Sequence, residues 1–228
     1  MVKIENIINT EEKKLKPLYL IYGEEDFLLD EFQNRFIDNF VSEQMKDFNL
    51  TFIDDDDSDF VKKLVNGVNT LPTMAEKRYV VARCQHYFSK KSAVDDRLIK
   101  LFHNLPETTI LLIIVKGNID GRIKINREAR KAGEVIELTP PRYKKLDDWI
   151  EKQFKQQNKK IDRKSVKFLE HMFNNKLQQL ESEIEKIATY CADKELINYQ
   201  DVRNVISRDR LLQDNVIFSF VDALSSKD

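Results

Sequence analysis

Between residues 18 and 138 the chain alternates between two hydrophobic rhythms. LYLIY (18–22), FNLTFI (48–53), RYVVARC (78–84), TILLIIV (109–115) and EVIEL (134–138) are nearly continuous in apolar, β-branched and aromatic residues. Such runs predict strands covered on both faces. The segments between them carry helical stripes. Leu28, Phe32, Phe36 and Phe40 recur every four residues, with Leu29 and Ile37 beside them, and predict a helix over 26–41. Val61, Leu64, Val65 and Val68 predict one over 58–69, and Val94, Leu98, Leu101, Phe102 and Leu105 one over 92–105. Strands joined by helix-length crossovers imply an α/β fold built on a mainly parallel, three-layer sheet.

The rhythm changes at Thr139-Pro140-Pro141, where two prolines end the sheet pattern and mark a linker. Beyond it only helical stripes occur: Leu146, Trp149, Ile150 and Phe154; Phe168, Leu169, Met172 and Phe173; Leu177, Leu180, Ile184, Ile187 and Cys191. Asn198 then caps a fourth helix carrying Val202, Val205 and Ile206. The expected organisation is an α/β domain over 1–140 and a small all-α domain over 141–208. A last stripe, Val216, Ile217, Phe220, Val221 and Leu224, has no later partner in the sequence and marks 209–228 as the opening of a further element.

Composition narrows the class. Of 228 residues, 41% are hydrophobic and 34% charged, and the longest apolar run, ILLIIV (110–115), is strand-sized rather than membrane-spanning. The first residues carry acids and no small-residue cleavage site, so no signal peptide is read. Cys84 and Cys191, far apart in apolar segments, read as free buried thiols of a reducing, cytoplasmic setting. The net charge of -1 hides an asymmetry: residues 24–59 hold 13 acids and 2 bases, residues 142–167 hold 10 bases and 4 acids. A polyanion would meet one side only.

A sheet domain followed by a small helical domain invites an ATPase reading, which requires a glycine loop ending in Gly-Lys-Ser/Thr to hold phosphates. None of Gly23, Gly67, Gly117, Gly121 and Gly133 is followed by lysine. After the first strand comes Gly23-Glu24-Glu25-Asp26, where carboxylates take the place at a helix N-terminus that a phosphate would need. His86, His103 and His171 lack metal spacing, and the run from Asp54 to Asp57 lacks the spaced ligands and glycine of a calcium loop. No catalytic residue, metal or cofactor is expected in the chain. Two features remain. Leu71, Pro72 and Met74 lie in a loop between a helix and a strand, stiffened by proline, with methionine able to adapt to a partner pocket. The alternative is that these side chains fold back on the sheet. Bases cluster at Lys116, Arg122, Lys124, Arg127, Arg130 and Lys131, at the carboxyl end of the fourth strand where parallel sheets place ligands. They cluster again from Lys144 to Lys164. Both suit phosphate contact, or simply a solvated face.

The ordered set PLYLIYGEEDFLLDE, TLPTMAEKRYVVAR, ILLIIVKGNIDGR, KAGEVIELTPP, LDDWIEKQF, KIDRKSVKFLEHMF, LQQLESEIEKIATYC and INYQDVRNVIS resembles the delta subunits of the bacterial DNA polymerase III clamp loader, over essentially the whole chain. The resemblance implies an AAA+-like module without ATPase activity, a helical lid, and a collar domain opening at 209–228 and continuing beyond it. It implies binding and opening of the sliding clamp through Leu71, Pro72, Thr73 and Met74, with Met74 as anchor because Thr73 departs from the family's apolar pair. It also implies sibling loader subunits as partners, and primed DNA met within the complex through bases such as Lys116, Arg122, Lys124 and Arg127. The chain would then serve a nucleotidyltransferase holoenzyme without chemistry of its own. The alternative is another ATPase-dead loader subunit, or a DNA-binding adaptor acting through the basic lid.

Overall fold

The computed structural model describes residues 6–54, 59–84, 86–89, 95–173 and 176–206. The chain divides into two compact units, Met1–Thr139 and Pro140–Asp228.

In the first unit strands and helices alternate: β1 (Leu18–Gly23), α1 (Asp26–Phe40), β2 (Leu50–Asp54), α2 (Phe60–Asn69), β3 (Arg78–Arg83), α3 (Asp96–His103), β4 (Thr109–Lys116), α4 (Lys124–Ala132) and β5 (Glu134–Glu137). The five strands form one sheet, ordered β2-β3-β4-β1-β5, and every pairing is parallel. Alternation along the strands divides the core. Leu20, Val80, Ala82, Leu111 and Ile113 pack with Val61, Leu64 and Val68 of α2, Leu98 and Phe102 of α3, and Ile125 and Ala129 of α4. On the other face Phe36 of α1 lies edge-on to Tyr19, with ring centroids 5.8 Å apart, and to Tyr79 at 6.2 Å. The fold class is thus α/β, a five-stranded parallel sheet with helices on both faces.

Two boundaries differ from expectation. The run 48–53 does not form one buried strand: Lys46–Asn49 is a single helical turn and β2 begins at Leu50. As the edge strand, β2 has a neighbour on one side only, and Phe48 and Phe52 stay exposed. The third helix starts at Asp96, where the Asp95 carboxylate caps it by accepting from the Arg97 N–H at 2.8 Å. Residues 92–94 lie outside the described residues.

The second unit contains α5 (Lys144–Gln156), β6 (Lys160–Ile161), α6 (Arg163–Phe173), α7 (Leu177–Tyr190), β7 (Leu196–Ile197) and α8 (Tyr199–Val205). The expected helices are present, but the unit is not purely helical, because β6 and β7 pair in parallel. Asp162 locks this pairing: its Oδ1 accepts from Ser165 N at 2.7 Å, capping α6, and its Oδ2 accepts from Tyr199 N at 3.2 Å at the start of α8. Trp149, Ile150, Phe154, Phe168, Leu169, Phe173, Leu180, Ile184, Ile187 and Val202 are buried. The expected opening at 209–228, with its stripe 216–224, lies outside the described residues, as do Asp55, Asp56 and Asp57 of the acidic run. Cys84 and Cys191 are buried and form no disulfide. Among the described residues no helix is long and apolar enough to cross a membrane.

Candidate functional site

The strand–helix turn after β1 is occupied by the protein's own groups. Gly23 pairs in register with Lys116 of β4, and two acids of the turn find partners across that pairing. The Lys116 ammonium donates to the Asp26 carboxylate, and Asn118 Nδ2 donates to Glu24 Oε1 at 2.7 Å. The bond to Asp26 holds the Lys116 ammonium above its ordinary pKa. A Cβ on Gly23 would lie 2.4 Å from the Leu138 carbonyl oxygen. This glycine therefore admits the chain leaving β5 and does not open space for a phosphate.

Of the four candidate phosphate-contacting bases after β4, three are paired with carboxylates. Lys116 binds Asp26, Arg122 Nε lies 3.0 Å from Asp120 Oδ1, and Lys124 Nζ lies 3.9 Å from Asp96 Oδ1. Arg127, exposed on α4, is the one of the four without an ion pair among the described residues. Part of the basic segment of the second unit is also engaged. Lys159 Nζ donates to the carbonyls of Cys191, Ala192 and Lys194 at 2.8, 2.8 and 2.6 Å, capping the end of α7. Lys160 pairs with Glu195 at 2.6 Å, Lys167 with Asp147 and Glu170, and Lys164 sits 4.5 Å over the Tyr199 ring. The lysine pattern between 159 and 167 is explained by local caps and pairs. His103 Nε2 lies 2.7 Å from Glu128 Oε2. Among the described residues no three potential metal-ligating side chains come together.

The loop between α2 and β3 contrasts with these satisfied clusters. Leu71 is 73% exposed and Met74 90% exposed, Thr73 is exposed, and Pro72 is half-buried. The side chains do not fold back on the sheet. Met74 has φ 52°, a left-handed conformation that costs an L-residue with a long side chain about 1–2 kcal/mol. Such a conformation persists only where surrounding contacts dictate it. Beside it, the Asn49 side chain bonds both backbone groups of Thr73, at 2.7 and 2.8 Å.

Asn49 was hidden in the apparent strand 48–53, as were its exposed neighbours Phe48 and Phe52. The available signal was an amide inside an apolar run, because a buried amide needs partners. Arg78 was likewise absorbed into a strand. Its guanidinium donates to the carbonyls of Phe48 and Gly67, at 2.6 and 3.2 Å, and to Thr51 Oγ1 at 2.7 Å.

Comparison with known proteins gives this geometry a context. A family described as DNA polymerase III, delta subunit, matches residues 19–139. The chain is 25% identical over 221 residues to DNA polymerase III subunit delta of Bacillus subtilis, covering 94% of this chain and 62% of that protein. It is 21% identical to a probable DNA polymerase III subunit delta of Aquifex aeolicus, covering 92% and 60%. The chain thus spans less than two thirds of the length of these relatives. Among solved structures it resembles the Bacillus subtilis DNA clamp loader delta protein, with a TM-score of 0.72 at 22% identity over 100% of this chain and 72% of that one. The RuvB Holliday junction branch migration motor of Thermotoga maritima shares the fold more distantly, with a TM-score of 0.51 at 12% identity, covering 90% of this chain and 66% of that one.

Proposed function

Because this chain belongs to the DNA polymerase III delta subunit family, we propose that it binds the ring-shaped sliding clamp and promotes its opening, through the loop Leu71, Pro72, Thr73 and Met74. The observation that carries this reading is the loop itself: two large apolar side chains held in solvent, one of them in a conformation that the chain sustains at a cost. Burial of one such side chain in a partner pocket contributes about 1.5–3 kcal/mol. Pro72 and the Asn49 bonds limit the entropy lost on docking.

The mechanism involves no bond making. Met74, with Leu71 beside it, enters an apolar pocket on one clamp protomer and favours a protomer shape that fits poorly at a closed ring interface. Opening is then a shift in population, limited by the difference in the loop's affinity for open and closed rings. Nucleotide chemistry belongs to sibling subunits, which govern access to the loop, and primed DNA is met within the assembled complex. Lys116, Arg122 and Lys124 contribute little to that contact while paired with acids, which leaves Arg127 as the candidate among these four for it.

The test is Met74→Asp. A carboxylate at a 90% exposed position leaves the fold intact but cannot enter an apolar pocket. Affinity for the cognate clamp, measured by surface plasmon resonance, is expected to fall roughly thirtyfold or more, with an unchanged thermal midpoint. Unaltered affinity would sink the assignment of this loop. Tight DNA binding by a chain that ignores the clamp would establish the adaptor reading instead.

A further inference from the structure

Among the described residues of the first unit, the large apolar side chains left exposed all fall on two segments. Phe48 and Phe52 are 58% and 55% exposed on one, and Leu71 and Met74 belong to the other. These segments are joined by designated side chains. Asn49, 1% exposed, donates from Nδ2 to the Thr73 carbonyl and accepts the Thr73 N–H at Oδ1. Phe48 precedes one end of this clasp and Met74 follows the other. Arg78 reinforces the junction by binding the Phe48 carbonyl, the Gly67 carbonyl in the last turn of α2, and the Thr51 hydroxyl of β2. The elements carrying the two apolar segments therefore share one hydrogen-bonded frame.

We propose that the clamp-contact face is composite: Phe48 binds the partner alongside Leu71 and Met74, and Asn49 is the positioning residue that fixes the two segments in the arrangement the partner recognises. This rests on the clamp-binding reading above and extends it to a segment outside the loop. Continuity selects the occupant. Phe48 belongs to the same frame as Met74, so a protein seated on Met74 reaches it without a second docking event. An apolar centre bordered by Asp47, Glu76 and Lys77 also has the composition of a protein-binding patch with a polar rim. Asn49 acts before binding. By engaging both backbone groups of Thr73 it confines the loop to the conformation that displays Met74, so the partner does not have to order it.

The experiment measures clamp affinity and thermal midpoint for Phe48→Ala and Asn49→Ala, each alone and combined with Met74→Ala, with sedimentation to follow self-association. Phe48→Ala is expected to weaken clamp binding about fivefold with no change in midpoint, as for an exposed contact residue. Asn49→Ala is expected to weaken it about tenfold, for two lost hydrogen bonds. In the Met74→Ala background the Asn49 effect should shrink to less than about twofold, because the anchor that the Thr73 clasp displays is then gone. Asn49→Asp keeps the acceptor for Thr73 N–H and should fall between wild type and Asn49→Ala. Wild-type affinity in Phe48→Ala overturns the composite face, as does an Asn49→Ala loss carried undiminished into the Met74→Ala background. Loss of self-association in Phe48→Ala, with clamp affinity intact, also overturns it and assigns the patch to a second copy of the chain. Met74→Asp separates the two claims: if it abolishes binding while Phe48→Ala binds as wild type does, only the composite face fails.

Discussion

Glu128 on α4 lies 2.7 Å from His103 Nε2 and 2.9 Å from Lys131 Nζ. These contacts, His103 first, draw its carboxyl from an ordinary 4.5 down to about 2. A pKa lowered by folding means that the ionised group stabilises the fold above pH 4.5, and that this contribution is lost as pH falls from there through about 2. Glu128→Gln should flatten that part of a plot of thermal midpoint against pH. The change should be small, because His103 and Lys131 are exposed and solvent screens the pair. An acid limb identical to wild type would show that the pair does not contribute. Gly133 poses a steric question at the same scale. A Cβ there would lie 1.9 Å from the Leu18 carbonyl oxygen, which belongs to backbone and cannot swing away. Gly133→Ala should therefore cost about 3 kcal/mol in urea unfolding, and an unchanged midpoint would refute the close approach. In the sequence Gly133 is only one of five glycines outside any phosphate loop; which backbone it meets is decided by the pairing of β5 with β1.

At the scale of elements, stripes and runs in the sequence locate the strands and long helices well, because burial on a sheet face or in a bundle demands apolar residues at a fixed period. The departures occur where a neighbour is missing or a side chain acts on backbone. The run 48–53 looks like the other strands, yet β2 lies at the sheet edge, so Phe52 has no covering helix and Phe48 falls in a separate turn. The pair β6–β7, two residues a side, is too short for any periodic signal. Caps were more legible. Asn198 accepts from Gln200 N and Asp201 N, while Asp201 Oδ2 accepts from Asn198 N, completing a capping box for α8. Asn198→Ala should lower stability by about 1 kcal/mol, measured by chemical denaturation, and leave clamp affinity untouched. A larger effect on the clamp than on stability would mean that the second unit takes part in binding.

For the molecule as a whole, the proposed function separates recognition from energy input. The strand–helix turn after β1 is filled by Lys116–Asp26 and Asn118–Glu24. The chain should consequently show no saturable binding of a fluorescent ATP analogue at micromolar concentrations, and tight binding would overturn the proposal that nucleotide is bound by its partners alone. By itself the sequence determined the five main strands, the long helices and the lack of a phosphate loop, and it offered the loop from Leu71 to Met74 as a candidate, because these depend on local period and residue chemistry. Only the tertiary structure decided that the loop side chains stand in solvent, that Met74 is held at φ 52°, and that Asn49 clasps Thr73 from 24 residues away. It also decided that most of the lysines between 159 and 167 serve caps and ion pairs. The reason is the same in each case: exposure and pairing depend on which distant segment lies opposite, and a one-dimensional pattern records only what a residue is.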